Sequence, residues 1–148
     1  MLHRLFLGDL HVGKKFISDK FQLNTQDIID FASVYDPQVF HTDPEKAKDS
    51  FFNGHAASGW QTAAVTMRLI VTSVPLDCGI IGIGGDIIWP GAVRPGDILQ
   101  AETEVVDIQR STSKPDRGVV TLFVETKNQR DEVVQTLKTK IMVFDKPF

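Results

Sequence analysis

An aspartate and a histidine five residues apart form the pair of side chains best suited to acid–base chemistry, Asp36 and His41. On one continuous helix, five steps of about 100° would place them on well-separated faces. Pro37 disfavours the α conformation at Asp36, so the helix ends there and the following loop can fold the imidazole back toward the carboxylate. Such a pair can hold a water molecule and move its protons near neutral pH. On spacing alone the commoner interpretation is an Asx-type turn at Asp36 and a histidine that merely precedes the next helix.

Ser58 and Gly59 stand where the longest predicted helix begins. The first amides of a helix lack internal partners and lie at its positive end, so a backbone N–H here can bind a carbonyl oxygen that gains negative charge. Glycine also lets a ligand approach the backbone closely. An equally simple interpretation is that Ser58 is the N-cap and Gly59 a packing glycine.

The remaining polar candidates are weaker. Arg110, Lys114 and Arg117 cluster around one turn and could meet the phosphates of a nucleotide-bearing ligand, although a solvated basic turn is the commoner interpretation. Cys78 has no nearby base and is not predicted to be a catalytic thiol. The histidines show no metal-ligand spacing, so we predict no zinc or iron site. They are His3, His11, His41 and His55.

Three helices are predicted in the first half of the chain. Asn24 can cap a helix that ends near Tyr35, and Asp43-Pro44 can open a short helix through about Lys48. The third helix spans residues 58–72, and its apolar residues recur at three- and four-residue spacing. This stripe is predicted to be buried against the rest of the protein, and it consists of Trp60, Ala63, Ala64, Met67, Ile70 and Val71.

After Pro75 the hydrophobic pattern takes a period of two, which predicts β-strands. The predicted strands are Ile80–Ile88, Ile98–Ile108, Val119–Lys127 and Val133–Phe144, with a hairpin turn at 128–131 and a bulge or change of face at Val105-Val106. Residues 5–23 are predicted to be irregular strand and turn. No helix separates the strands, so we expect an antiparallel sheet curled around the long helix. A sheet edge left exposed is commonly covered by a second copy, which predicts a homodimer.

Composition limits the classes of function. A chain of 148 residues without a linker or repeat is expected to form one domain, residues 1–148. Its net charge of −3, with scattered basic residues, argues against nucleic acid as a partner. No apolar run is long enough to span a membrane, and only three apolar residues separate Arg4 from Gly8, too few for a signal peptide. A single cysteine suits a reducing compartment, so we expect a cytoplasmic protein.

Together these motifs resemble the MaoC-like dehydratases, which include the (R)-specific enoyl-CoA hydratases. The resemblance covers nearly the whole chain. The segments that carry it are Phe31–Glu45, Ala57–Leu69, Trp89-Pro90, Val93–Asp97 and Pro115–Gly118. It implies an α+β hot-dog fold, in which an antiparallel sheet wraps a long central helix. It also implies at least a dimer, with the active site in a tunnel near the subunit interface.

The hydratase motif of this family is Gly-Asp-x-Asn-Pro-x-His, and its Asp and His fall on Asp36 and His41. The resemblance implies that this pair activates a water for addition to a trans-2-enoyl thioester. It also implies that the Gly59 amide stabilises the enolate-like oxygen, with Ser58 and Gln38 beside the substrate. This chain departs from the motif at three positions: Tyr35 replaces the Gly, Gln38 the Asn and Val39 the Pro.

The expected function is therefore reversible hydration of an enoyl-CoA or a related enoyl thioester. No protein-bound cofactor is expected, because coenzyme A arrives as part of the substrate. Two alternatives remain: a non-catalytic acyl-CoA-binding or interaction subunit, and a hot-dog thioesterase that would release a free thiol.

Overall fold

A five-stranded antiparallel sheet dominates the computed structural model, which describes residues 3–148. Its strands lie side by side in the order β1-β3-β4-β5-β2, so β1 and β2 are the two edges. The strands are β1 (Lys15–Gln22), β2 (Ile81–Ile88), β3 (Ile98–Arg110), β4 (Arg117–Lys127) and β5 (Val133–Phe144).

The strand predictions are confirmed to within two residues, and in β3, β4 and β5 alternating side chains face a core on one side, whereas β2 has no buried residue. Along β4, for example, Val120, Leu122 and Val124 are all buried. The register of β3 against β4 shifts between Val105 and Asp107, which confirms the predicted bulge. The first segment is irregular strand and turn, as predicted: a 3-10 helix at Leu7–Asp9 and a turn precede β1, and the pairing of β1 with β3 shifts register between Ile17 and Lys20.

Two helices precede the long one. The first, α1 (Thr25–Tyr35), begins at Asn24 in a capping box with Asp27 and ends as predicted before Pro37. The predicted short helix from Pro44 to about Lys48 is confirmed only in part, because Pro44 and Glu45 form a turn and the segment after them is a 3-10 helix. A one-turn helix, α2 (Val39–Thr42), comes earlier, and a 3-10 helix at Lys46–Asp49 follows it. Asp43 explains the break, because its carboxylate accepts the N–H groups of Glu45 and Lys46 and so starts a new turn.

The long helix, α3 (Gly59–Ser73), has the predicted bounds but buries a different face. It packs mainly against β1 and β3. Trp60, Met67 and Val71 of the predicted buried stripe are exposed. The buried residues are Gln61, Thr62, Val65, Thr66, Leu69 and Ile70.

Polar residues can occupy the inner face of α3 because other elements supply hydrogen-bond partners. The hydroxyl groups of Thr66 and Thr126 lie 2.7 Å apart, and the Gln61 amide donates to the Asp27 carbonyl at 3.0 Å. With 15 residues, α3 is the longest helix, and within residues 3–148 none has the length and apolar character that a bilayer crossing requires.

One end of the sheet gathers the segments that matter for function. Ile88, near the end of β2, pairs with Thr136, and Lys127 of β4 pairs with both Val133 and Gln100. The loop of residues 89–97 therefore leaves β2 and enters β3 at this end, where it meets the N-terminus of α3.

Candidate active site

The structure brings Asp36 and His41 together. Asp36 follows the last residue of α1 with non-helical backbone angles, and α2 then returns the chain so that His41 faces it. His41 Nε2 lies 3.2 Å from Asp36 Oδ2. The histidine side chain is 5% exposed and the aspartate side chain 17%, so the pair is largely shielded from bulk water.

The other ring nitrogen of His41 determines the proton arrangement. Nδ1 lies 2.6 Å from the Ala56 carbonyl oxygen, and because a carbonyl oxygen only accepts, Nδ1 must carry a proton. Nε2 therefore faces the Asp36 carboxylate. A bare nitrogen lone pair and a carboxylate would repel each other at 3.2 Å, so the favourable state has one proton between them. A pair that holds one proton can exchange it with a bound water.

The Asp36 carboxylate is held by several donors. Gln38 Nε2 donates to Asp36 Oδ1 at 2.6 Å, and His41 Nε2 lies 3.2 Å from Asp36 Oδ2. Partial burial raises the pKa of Asp36, but the hydrogen bonds from Gln38 and Ser58, with the adjacent His41, outweigh it and hold that pKa below its usual value. Gln38, which stands in place of the motif asparagine, thus contacts the dyad directly.

A cavity of about 600 Å³ opens beside this pair. Asp36 and His41 line one side, and Gly59 and Trp60 at the start of α3 line another. Aromatic side chains and the loop after β2 complete the wall. These lining residues include Phe51, Phe52, Trp89, Pro90, Gly91, Ala92, Val93 and Arg94.

The sequence leaves open whether Gly59 offers a backbone N–H to a ligand or is a packing glycine, and its surroundings in the structure suit both. It is the first residue of α3, and among the described residues its N–H has no hydrogen-bond acceptor. A Cβ atom on Gly59 would lie 2.7 Å from Trp89 Cε2, so only glycine fits beneath this indole. The indole is fixed in turn, because Trp89 Nε1 donates to Gln135 Oε1 at 2.9 Å. Ser58 is also the N-cap, since its hydroxyl accepts the Trp60 N–H.

Arg94 is a lining residue that sequence analysis did not single out. Its guanidinium donates to the carbonyl oxygens of Phe52 at 2.5 Å and His55 at 3.3 Å, and so holds the segment that forms one wall of the cavity. The sequence feature that could have indicated Arg94 is its place in Val93–Asp97, one of the segments that resemble the family.

The basic turn lies elsewhere. Arg110 pairs with Asp145 at 2.5 Å and Arg117 with Asp116 at 3.0 Å. With Lys114, these residues sit where β3 turns into β4, at the opposite end of the strands from the cavity of the same chain. Across residues 3–148, no group of three or more His, Cys, Asp or Glu side chains is arranged to hold a metal ion.

Comparisons with known proteins show the family of this chain. The family described as "MaoC like domain" matches residues 10–129. The uncharacterized protein YdeM of Bacillus subtilis (strain 168) is 32% identical over 135 residues, which cover 84% of this chain and 89% of that protein.

Two solved structures are similar throughout. The MaoC-like dehydratase from Rhodospirillum rubrum has a TM-score of 0.95 and 52% identity, covering 97% of this chain and 99% of that one. The R-hydratase PhaJ1 from Pseudomonas aeruginosa has a TM-score of 0.76 and 25% identity, covering 97% and 88%. These likenesses confirm the predicted hot-dog fold.

The Gln38 contact yields a first prediction. Gln38→Leu removes a donor from Asp36, so the pKa of Asp36 should rise relative to the wild type. The pKa of Asp36 is lower in the folded than in the unfolded protein, so the ionised carboxylate stabilises the fold. This stabilisation is complete at a pH above the unfolded-state pKa and is lost as the pH falls through the folded-state pKa. The variant should lose part of that stability. Carbon-13 NMR titration of the Asp36 carboxyl group measures the change directly.

Gln26→Leu is the matched control, because Gln26 donates to Asp30 at 2.7 Å in the same way on the exposed side of α1. It should leave the Asp36 titration unchanged. An unaltered Asp36 midpoint in Gln38→Leu would show that this contact does not hold the carboxylate.

A second prediction concerns Gly59. Gly59→Ala should lower the free energy of unfolding by about 1–3 kcal/mol, because the new methyl group collides with Trp89. Alanine keeps the backbone N–H, so Gly59→Ala combined with Trp89→Leu should recover much of the lost stability. Thermal and denaturant unfolding measure both effects. Gly8→Ala, whose Cβ would meet nothing closer than 3.4 Å, is the control, and equal destabilisation of all three variants would contradict the packing argument.

Proposed function

The chain belongs to the MaoC-like dehydratase family, and we propose that it reversibly adds water to a trans-2-enoyl-CoA to give a 3-hydroxyacyl thioester. The single observation that carries this proposal is the 3.2 Å contact of Asp36 with His41 in the same cavity as the free Gly59 N–H. The similarity to an R-hydratase supports it.

The chemistry requires one water and two proton transfers. The β-carbon of an enoyl thioester is electrophilic because the double bond is conjugated with the carbonyl group. The water oxygen bonds to this carbon, the dyad takes one water proton, and the proton already held between Asp36 and His41 passes to the α-carbon. The dyad thus ends with as many protons as it had at the start, and the reverse sequence dehydrates the product.

Negative charge collects on the thioester oxygen during this addition. The Gly59 N–H, at the positive end of α3, is positioned to donate to that oxygen. Ser58 and Gln38 act beside it through Asp36, which they keep ionised by hydrogen bonding. Coenzyme A enters as part of the substrate, so the proposed reaction needs no protein-bound cofactor. We place it in the cytoplasm, where a lone thiol such as Cys78 stays reduced.

A homodimer is the second part of the proposal. The outer face of α3 exposes Trp60, Met67 and Val71, and Trp60 contacts Trp89 just beyond β2. The edge strand β2 exposes isoleucines and glycines and carries one charge, Asp86, whereas the other edge, β1, carries Lys15, Asp19 and Lys20. Charged edge strands resist pairing and apolar ones favour it, so a second copy is expected to cover β2 and the outer face of α3.

Asp36→Asn should lower the rate of hydration by about 100- to 10,000-fold, because the amide cannot take a proton from the water. Loss of the ultraviolet absorbance of the conjugated thioester measures turnover of crotonyl-CoA and longer enoyl-CoAs. Asp30→Asn, on the exposed side of the same helix, should be fully active. Undiminished turnover in Asp36→Asn, with the fold intact, would refute the assigned role.

Thiol trapping separates the alternatives. Hydration leaves the thioester intact, so free thiol should not appear. Release of thiol would favour a thioesterase, and binding of enoyl-CoAs without consumption would favour a non-catalytic subunit.

The dimer proposal predicts a difference between the two sheet edges. Ile83→Lys, on β2, should dissociate the protein, while Ile17→Lys, on β1, should leave the mass at twice that of one chain; both isoleucines are exposed, at 53% and 68%. Sedimentation equilibrium measures the mass. If only the β1 variant dissociates, the interface lies at β1 and the proposed β2 interface is refuted.

A further inference from the structure

We propose that His55 is a positioning residue that holds His41 in the geometry needed for proton transfer. The proposal rests on the function proposed above and extends it to a residue outside the dyad. His55 is 7% exposed and lies in the segment just before α3. It does not line the cavity, so it acts on the reaction only through its neighbours.

The contact between the two histidines is direct. His55 Nε2 lies 2.6 Å from the main-chain carbonyl oxygen of His41. Because that oxygen can only accept, the proton of His55 is on Nε2. This bond fixes the backbone of the very residue whose imidazole meets Asp36.

Two further hydrogen bonds complete a clasp between residues 40–41 and 55–56. His41 Nδ1 donates to the Ala56 carbonyl at 2.6 Å, and the Ala56 N–H donates to the Phe40 carbonyl at 3.2 Å. The main chain and the imidazole of His41 are therefore held by the same dipeptide, His55-Ala56. If this dipeptide moved, the ring of His41 would move with it.

The second ring nitrogen of His55 is unusual. Nδ1 is buried and has no hydrogen-bond partner among the described residues. Buried polar atoms are nearly always paired, so an apolar side chain would fill this space more favourably. The bond that Nε2 donates to His41 explains why an imidazole suits the position.

The clasp is anchored on its far side. Arg94 donates to the carbonyls of His55 and Phe52, and between them Asn53 and Gly54 adopt positive φ angles of 51° and 147° in a tight turn. The backbone of Arg94 is fixed in turn, because the main-chain N–H of Arg94 donates to Asp97 Oδ2 at 2.8 Å. A connected set of hydrogen bonds thus links the loop after β2 to the dyad.

The test compares two side chains of similar length at position 55. His55→Gln can place an amide N–H near the position of the imidazole Nε2, whereas His55→Met fills the space without a donor. The Gln variant should keep most of the wild-type kcat, and the Met variant should lose up to about 100-fold, since a misplaced catalytic group slows the reaction by that order. KM for the enoyl-CoA should change little in either, because His55 does not touch the substrate.

An activity-independent measurement accompanies the kinetics. In protein labelled with nitrogen-15 histidine, the His41 Nδ1 proton should give a slowly exchanging resonance that is absent from a His41→Gln control. The resonance should persist in His55→Gln and broaden or vanish in His55→Met. This arm reports on positioning even if the wild type proves not to be a hydratase, so the two proposals can fail separately.

Three outcomes would overturn the proposal. They are an unchanged His41 resonance in folded His55→Met, equal kcat in the Met and wild-type proteins, and equal losses in the Gln and Met variants. Thermal unfolding checks that each variant is folded. If His55→Met does not fold, His55→Asn replaces it, because the shorter amide cannot reach the His41 carbonyl.

Discussion

The contact between the His41 imidazole and the Asp36 carboxylate is the interaction on which the rest of the site depends. Both groups lose contact with water, the imidazole almost wholly and the carboxylate in part, and a partly buried carboxylate needs donors that replace the lost hydration. Gln38 and His41 supply those contacts to Asp36, and the Ala56 carbonyl accepts a hydrogen bond from the far side of the imidazole. The chain reaches this arrangement because α1 stops before Pro37 and α2 turns back within six residues.

The opposite wall follows from a steric constraint. The indole of Trp89 lies so close to the start of α3 that Gly59 admits no side chain, and the N–H of this residue, the first of the helix, has no acceptor among the described residues. One residue thus meets the packing constraint and, in the proposed reaction, donates its N–H to the negative charge. From the sequence alone, a packing glycine and an N–H donor are alternatives for Gly59, but in the structure both are compatible at this position.

Local patterns predicted most of the fold and part of the site. Strand bounds, the end of α1 and the start of α3 follow from period-two alternation, Pro37 and the Ser58 cap, which are properties of neighbouring residues. The buried face of α3 could not be predicted, because Thr66 is satisfied by Thr126, sixty residues away. His55 and Arg94 were missed for a related reason, since both bind main-chain carbonyls, which carry no sequence signal.

The unexpected buried face of α3 links the candidate site to the proposed homodimer. The helix begins at the cavity, and Thr62 on its inner face lines that cavity. Because Thr62, Thr66 and Gln61 occupy the inside, the apolar residues Trp60 and Met67 are displaced to the outside. An apolar helix face beside an apolar sheet edge is stable in water when a further surface covers both. The hydrogen bonds that hold Gln61 and Thr66 inside the protein thus leave the apolar residues of α3 on the surface that a second copy would cover.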